Sequence, residues 1–149
     1  MQKKLINLIL VLVVAALGYF FAPANQPSPD NGVSQRSTYN DQSALLQTAF
    51  TKRQSKVWAT VKVKVRKTLM DDNKGSRHQR FLVNLANGQS ILVAHNIDLA
   101  PRAPIRAGAS IWIKGRYEWS DKGGVLHWTH HNPKGGRGGW IEVDGKRYD

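Results

Sequence analysis

Residues 57–66, Val57-Trp58-Ala59-Thr60-Val61-Lys62-Val63-Lys64-Val65-Arg66, decide the fold. Val57, Ala59, Val61, Val63 and Val65 alternate strictly with Trp58, Thr60, Lys62, Lys64 and Arg66. A period of two is that of an extended strand, whose successive side chains point to opposite faces. One face is therefore fit for a core, and the other carries three positive charges.

Downstream, the same period returns in short runs. Gln79 to Leu85 turns Phe81, Val83 and Leu85 to one side, and Asn87-Gly88 is a strong hairpin signal leading into Ile91-Leu92-Val93-Ala94. Asn96 to Gly108 is irregular, broken by Pro101 and Pro104. A fourth strand is expected over Ser110 to Trp119. Asp121-Lys122-Gly123-Gly124 then turns into a fifth, Val125 to His130. A last hairpin, Trp140 to Tyr148, turns at Asp144-Gly145. Upstream, Leu45, Leu46, Ala49 and Phe50 recur at helical spacing within Gln42 to Gln54, which predicts a short packing helix.

Five main strands in meander-then-hairpin order predict a mainly β fold. The expectation is a small five-stranded OB-like β-barrel (oligonucleotide/oligosaccharide-binding) with a short N-terminal helix, over residues 41–149. Closure removes the exposed edges of so small a sheet. Residues 96–107 stand where such barrels carry a crossing helix. An SH3-like barrel and an open sandwich are the alternatives.

A chain of 149 residues with 41% hydrophobic residues can bury a core as one domain. It has no cysteine, which excludes disulfides, thiolate metal sites and cysteine nucleophiles. Lys and Arg total 22 against 10 acids, a formal charge of +12, so polyanions are the first partner class to consider. The N-terminus reads as an export segment: Lys3-Lys4 precede an apolar run from Leu5 to Ala22, and Pro23 follows. Residues 1–24 are expected to be a signal peptide or a transmembrane anchor. Ala22-Pro23-Ala24 suits cleavage, whereas a run of about 18 apolar residues suits spanning. Residues 25–40, with Pro27, Pro29 and many small polar residues, read as a disordered linker. The domain is thus expected in a periplasm, anchored to the inner membrane or released from it.

Three clusters carry candidate chemistry. Asp71-Asp72-Asn73-Lys74-Gly75-Ser76-Arg77-His78-Gln79-Arg80 joins paired carboxylates to Arg77, His78 and Arg80, which could fork onto an oxyanion. Ala94-His95-Asn96-Ile97-Asp98-Leu99-Ala100-Pro101-Arg102 places His95, Asn96, Asp98 and Arg102 at a strand end, although Asp98 and Arg102 could simply pair. His127-Trp128-Thr129-His130-His131-Asn132-Pro133 is the most unusual. On a continuous strand His127, Thr129 and His131 would face one way, and Trp128 and His130 the other. A transition metal would then need His78 or His95 as well. No cofactor is expected from this spacing.

These three runs, together with Trp140, resemble a family of small exported bacterial proteins known as domain of unknown function 3465. The resemblance covers residues 57–148. It implies an OB-like domain behind an apolar segment and supplies no activity. The chain departs from that family's pattern at Asn132, Ala109 and the histidine-free loop Lys134-Gly135-Gly136-Arg137-Gly138-Gly139.

Two function classes follow. The first is a basic OB-like binding module for a polyanion: nucleic acid, nucleotide or anionic glycan. Lys62, Lys64, Arg66, Arg80 and Arg116 would supply charge, and Trp58, Trp112, Trp119 and Trp128 could stack on bases or sugars. The alternative is a periplasmic, phosphodiesterase-like hydrolase, with His95 or His127 as general base and Arg77 or Arg80 on the oxyanion. A nucleophile elbow, a P-loop and an H-E-x-x-H run are absent, so no catalytic residue is assigned. The binding residues expected are Arg77, His78, Arg80, His95, Asn96, Asp98, Arg102, Trp119, His127, Trp128, His130 and His131.

Overall fold

A computed structural model describes residues 39–149. The expected export segment, residues 1–24, and the expected linker as far as residue 38 lie outside the described residues. Among the described residues no helix is long and apolar enough to cross a membrane.

The helix α1 spans Ser43–Thr51 and the strands are β1 (Val57–Thr68), β2 (His78–Asn84), β3 (Ser90–Asn96), β4 (Ser110–Glu118), β5 (Val125–His127), β6 (Trp140–Val143) and β7 (Lys146–Tyr148). The pairing order is β1-β2-β3-β5-β4, and β4 pairs back onto β1, which closes a five-stranded barrel. β3 and β5 run parallel while the other pairs are antiparallel. Strand order and direction are those of an OB-like barrel. Residues 97–109 cross from β3 to β4 without a helix, as the sequence suggests. Gln79 ties the crossing down by accepting from the Ala103 N–H (3.0 Å) and donating to its carbonyl (2.8 Å).

The alternation in β1 is realised: Ala59, Val61, Val63 and Val65 are buried, whereas Lys62, Lys64 and Arg66 are exposed. β1 serves two neighbours. Val57 to Lys64 pair with β4, Lys64 to Thr68 pair with β2, and a register shift between Val65 and Lys67 bends the strand from one to the other. The first half would leave one edge bare. Residues just ahead of α1 cover it: the Gln42 N–H donates to Thr60 O (2.9 Å), Thr60 N–H to Gln42 Oε1 (2.8 Å) and Lys62 N–H to Asp41 Oδ1 (3.2 Å). α1 then adds Leu46 and Ala49 to the core. With them pack Val61, Phe81, Val83, Ile91, Val93, Ile111, Ile113, Tyr117, Leu126 and Ile141.

The β6–β7 hairpin continues the sheet along β4, pairing Trp112 with Glu142 and Lys114 with Trp140. Its turn is left-handed at both central positions, Asp144 (φ 50°) and Gly145 (φ 78°), the conformation that matches strand twist in tight hairpins.

The fifth strand is shorter than its sequence suggests. It stops at His127, not His130, because Trp128 adopts φ 55°. A bulky residue in the left-handed region is strained, and strict alternation ends there. Thr129 and His130 are both buried. The division of His127 and His130 between opposite faces, expected from a continuous strand, is therefore replaced by a different geometry.

Candidate functional site

The outer face of β2, β3 and β5, where OB-like barrels bind ligands, carries a cavity of about 340 Å³. Register explains its walls. His78 on β2 lies opposite Asn96 on β3, and Arg80 lies opposite Ala94. His127 leaves β5 on the same outer side. Ala94 is small, so the floor is open. Beyond β5 the turned chain brings Trp128, His130, Asn132, Pro133 and Lys134 around the rim, and Ser76 and Leu99 complete it.

Each lining imidazole has one ring nitrogen fixed. His78 Nδ1 lies 2.7 Å from the Ser76 carbonyl and His130 Nδ1 lies 2.7 Å from the His131 carbonyl. A carbonyl only accepts, so each Nδ1 carries the proton and each Nε2 is an open acceptor. His127 Nε2 faces Glu118 Oε1 at 3.5 Å, which leaves Nδ1 open. Burial lowers the pKa of His127; Glu118 opposes this, and the nearby Arg116 reinforces it. Burial pushes Glu118 up, but bonds from His127, Ser55 and the Lys56 N–H, with the Arg116 charge, outweigh it and hold the carboxyl below its usual range.

The amides are fixed too. Asn96 Oδ1 accepts from the Asp98 N–H (2.9 Å) and Asn132 Oδ1 from the Lys134 N–H (3.0 Å), so each NH₂ is the end left to donate. None of the described lining residues is an acid. Among the described residues no three His, Asp or Glu side chains are grouped to hold a metal ion.

The structure thus brings together His78, Asn96, His127, Trp128 and His130 of the expected site residues. The others lie elsewhere. His95 points into the barrel and is fully buried, with Nδ1 2.9 Å from Thr129 Oγ1 and Nε2 3.0 Å from the Pro101 carbonyl. Nε2 must donate to that carbonyl, so Nδ1 accepts from the Thr129 hydroxyl, and no ring nitrogen is left for a ligand. His95 acts as a post that pins the chain after β5 to the crossing segment. Gly115 permits this: a Cβ there would stand 2.9 Å from Thr129 Cγ2 and 2.7 Å from the His127 carbonyl.

Arg77 is paired with Asp98 (2.7 Å) and Arg102 with Asp71, so these four clamp the β1–β2 loop to the crossing segment. The partners differ from the Asp98–Arg102 pair that the sequence suggested. The Arg77 N–H and guanidinium hold Asp98 below its usual carboxylate range. Arg80 Nε donates to the Met70 carbonyl (3.0 Å). His131 is exposed. Trp119 packs beside α1, donating Nε1–H to the Phe50 carbonyl (3.1 Å), and does not line the cavity. Glu118 and Lys134 lie outside the three clusters read from the sequence, and Asn132 lies inside the third without being among the expected binding residues. Glu118 reaches His127 through the β4–β5 register, which no spacing in the chain reveals.

All five tryptophans have a cation over the ring: Arg137 on Trp58, Lys62 on Trp112, Arg53 on Trp119, Arg116 on Trp128 and Arg147 on Trp140. Centroid distances run from 4.4 Å for Trp140 to 6.0 Å for Trp112. Trp128 also stacks on His130 at 5.7 Å.

Replacing His95 by Leu is expected to cost about 2 kcal/mol, because Thr129 Oγ1 and the Pro101 carbonyl would lose their partner. Burial lowers the His95 pKa, with the bonds to Pro101 and Thr129 opposing. The unfolded chain then binds this proton more readily than the native one. The stability at stake is fully present above the unfolded value of about 6.5 and is lost as pH falls below it. Denaturant unfolding at pH 7.5 and pH 5.5 should show that loss in the wild type and a smaller one in His95→Leu; equal losses would refute the assignment.

No curated protein and no solved structure matches the chain. Residues 32–149 match the family described as Protein of unknown function (DUF3465), a span that holds α1, all seven strands and the cavity. The chain belongs to that family.

Proposed function

We propose that this protein is an exported, membrane-tethered binding module for a polyanion, whether nucleic acid, nucleotide or anionic glycan. The observation that supports this best is the cavity on the β2–β3–β5 face, lined by a lysine, three histidines and two asparagines, with no acid among the described lining residues. A chain of formal charge +12 adds a long-range field of the same sign. Lys62, Lys64 and Arg66 supply an exposed basic stripe on β1. A salt titration of binding to single-stranded DNA, heparin and anionic vesicles tests the proposal. No binding to any of the three at low salt would refute it.

One observation favours a second function, that of a phosphodiesterase-like hydrolase. Glu118 orients His127, which lines the cavity with Nδ1 free of a hydrogen bond among the described residues, as a general base requires. Turnover of a chromogenic phosphodiester that is lost in His127→Gln would establish it. For the tether, Leu5 to Ala22 would hold the chain in the inner membrane with the barrel outside, oriented by Lys3 and Lys4. Mass spectrometry of the mature protein should find Met1 retained; a start at Asn25 would exclude the anchor.

A further inference from the structure

The cavity contains more hydrogen-bonding capacity than a basic surface needs. Three donors have fixed directions or charge: the NH₂ groups of Asn96 and Asn132, and the Lys134 ammonium. Three further nitrogens, His78 Nε2, His127 Nδ1 and His130 Nε2, carry no hydrogen bond among the described residues. While neutral they are acceptors. Once protonated, each becomes a charged donor without turning the ring, because its other nitrogen already holds its proton against a fixed oxygen.

We propose that this cavity is an oxyanion site that takes a phosphate or sulfate group, with uptake of protons onto these imidazoles. The proposal rests on the polyanion reading and narrows it to one tetrahedral group per barrel.

The charged groups around the cavity support that chemistry. On β2 and its preceding loop, Arg77 is neutralised by Asp98, and Asp72, bridged to His78 through the backbone, accepts at its carboxylate from the Lys74 N–H. On β4, Arg116 shares Glu118 with His127 of the neighbouring β5, at 3.0 Å and 3.5 Å. Beneath the sheet, His95 is neutral and sealed. On the loop after β5, exposed His131 and Arg137 stand outside the lining, and Lys134 is its one full charge. In the empty cavity, burial and the Arg116 charge disfavour the charged form of His127. An entering dianion reverses that balance, and the strongest binding comes with the protons it brings.

Inorganic sulfate is the probe, because it stays doubly charged throughout the range and any pH dependence belongs to the protein. Its affinity should rise at least about tenfold from pH 7.5 to pH 5.5, with one or more protons taken up. Calorimetry in two buffers of different ionisation enthalpy counts those protons on the wild-type chain. A count of zero would overturn the proposal. His78→Gln, His127→Gln and His130→Gln should each flatten the pH dependence, while Lys134→Gln should weaken binding equally at both pH values. Unaltered pH dependence in all three glutamine variants would also overturn it.

Inorganic phosphate and a sulfated disaccharide, run in parallel, separate the two sources of the group. Heparin binding on the same sample separates the two levels of inference. Heparin bound without sulfate uptake would defeat the cavity site alone, and sulfate bound without heparin would defeat the polyanion reading.

Discussion

Affinity for heparin or single-stranded DNA should fall about 300-fold between 50 and 200 mM salt, taking about six cations to meet phosphate or sulfate groups. The cause is release of counterions condensed on the polyanion, which gains less as bulk salt rises. The logarithm of affinity should fall linearly with the logarithm of salt. Lys62, Lys64 and Arg66 point outward from a strand whose Val61, Val63 and Val65 point inward, so replacing all three by Ser removes charge without touching the core. The slope should then lose about 2, at about 0.7 per contact for a single strand. Arg77→Ser would change the slope little, because Asp98 already neutralises that guanidinium. An unchanged slope in the triple variant would place the polyanion on another face.

Gly139→Ala should destabilise the barrel by about 3 kcal/mol, the upper part of the range for an overpacked site. A Cβ at Gly139 would stand 2.2 Å from the Lys114 carbonyl and 2.3 Å from the Trp128 carbonyl. Both obstacles are backbone, so no rotamer change relieves them. The Gly139 N–H also donates to the His130 carbonyl (2.8 Å), tying the loop to the segment that walls the cavity. Relief would have to move β4 or the cavity wall. Gly135, whose added Cβ would meet nothing within 4 Å but whose φ is 80°, separates crowding from conformational strain. Gly135→Ala should lose about 1 kcal/mol, as expected for a left-handed position alone. Denaturant midpoints that rank the two variants equally would refute this account.

β1 is legible in the chain because one of its faces is sealed and the other solvated, which writes a period of two into Val57 to Arg66. The closing order is legible more indirectly, through five strand-like runs in meander-then-hairpin order. Trp128 is where local pattern fails. Nothing in His-Trp-Thr-His-His announces a left-handed residue; the turn is imposed by Thr129 reaching inward to His95 and by the space at Gly115. The cavity is half legible for the same reason. His78, Asn96 and His127 follow from strand faces, whereas Lys134, Asn132 and Glu118 arrive through loop packing and register. Arg77, Asp98 and Arg102 have the composition of a ligand cluster, yet their charges are spent on one another and on Asp71.

The cations seated on all five tryptophans bear on colloidal behaviour. Indole faces on a small barrel are adhesive; a guanidinium or ammonium over each of the four half-buried rings keeps them wet and mutually repelling, while Arg147 covers the buried Trp140. The ions that screen the rings are also those a polyanion would draw away. Near charge balance the bound barrels would lose repulsion and uncover their indoles together, so complexes would cluster at matched stoichiometry and redisperse when either component is in excess.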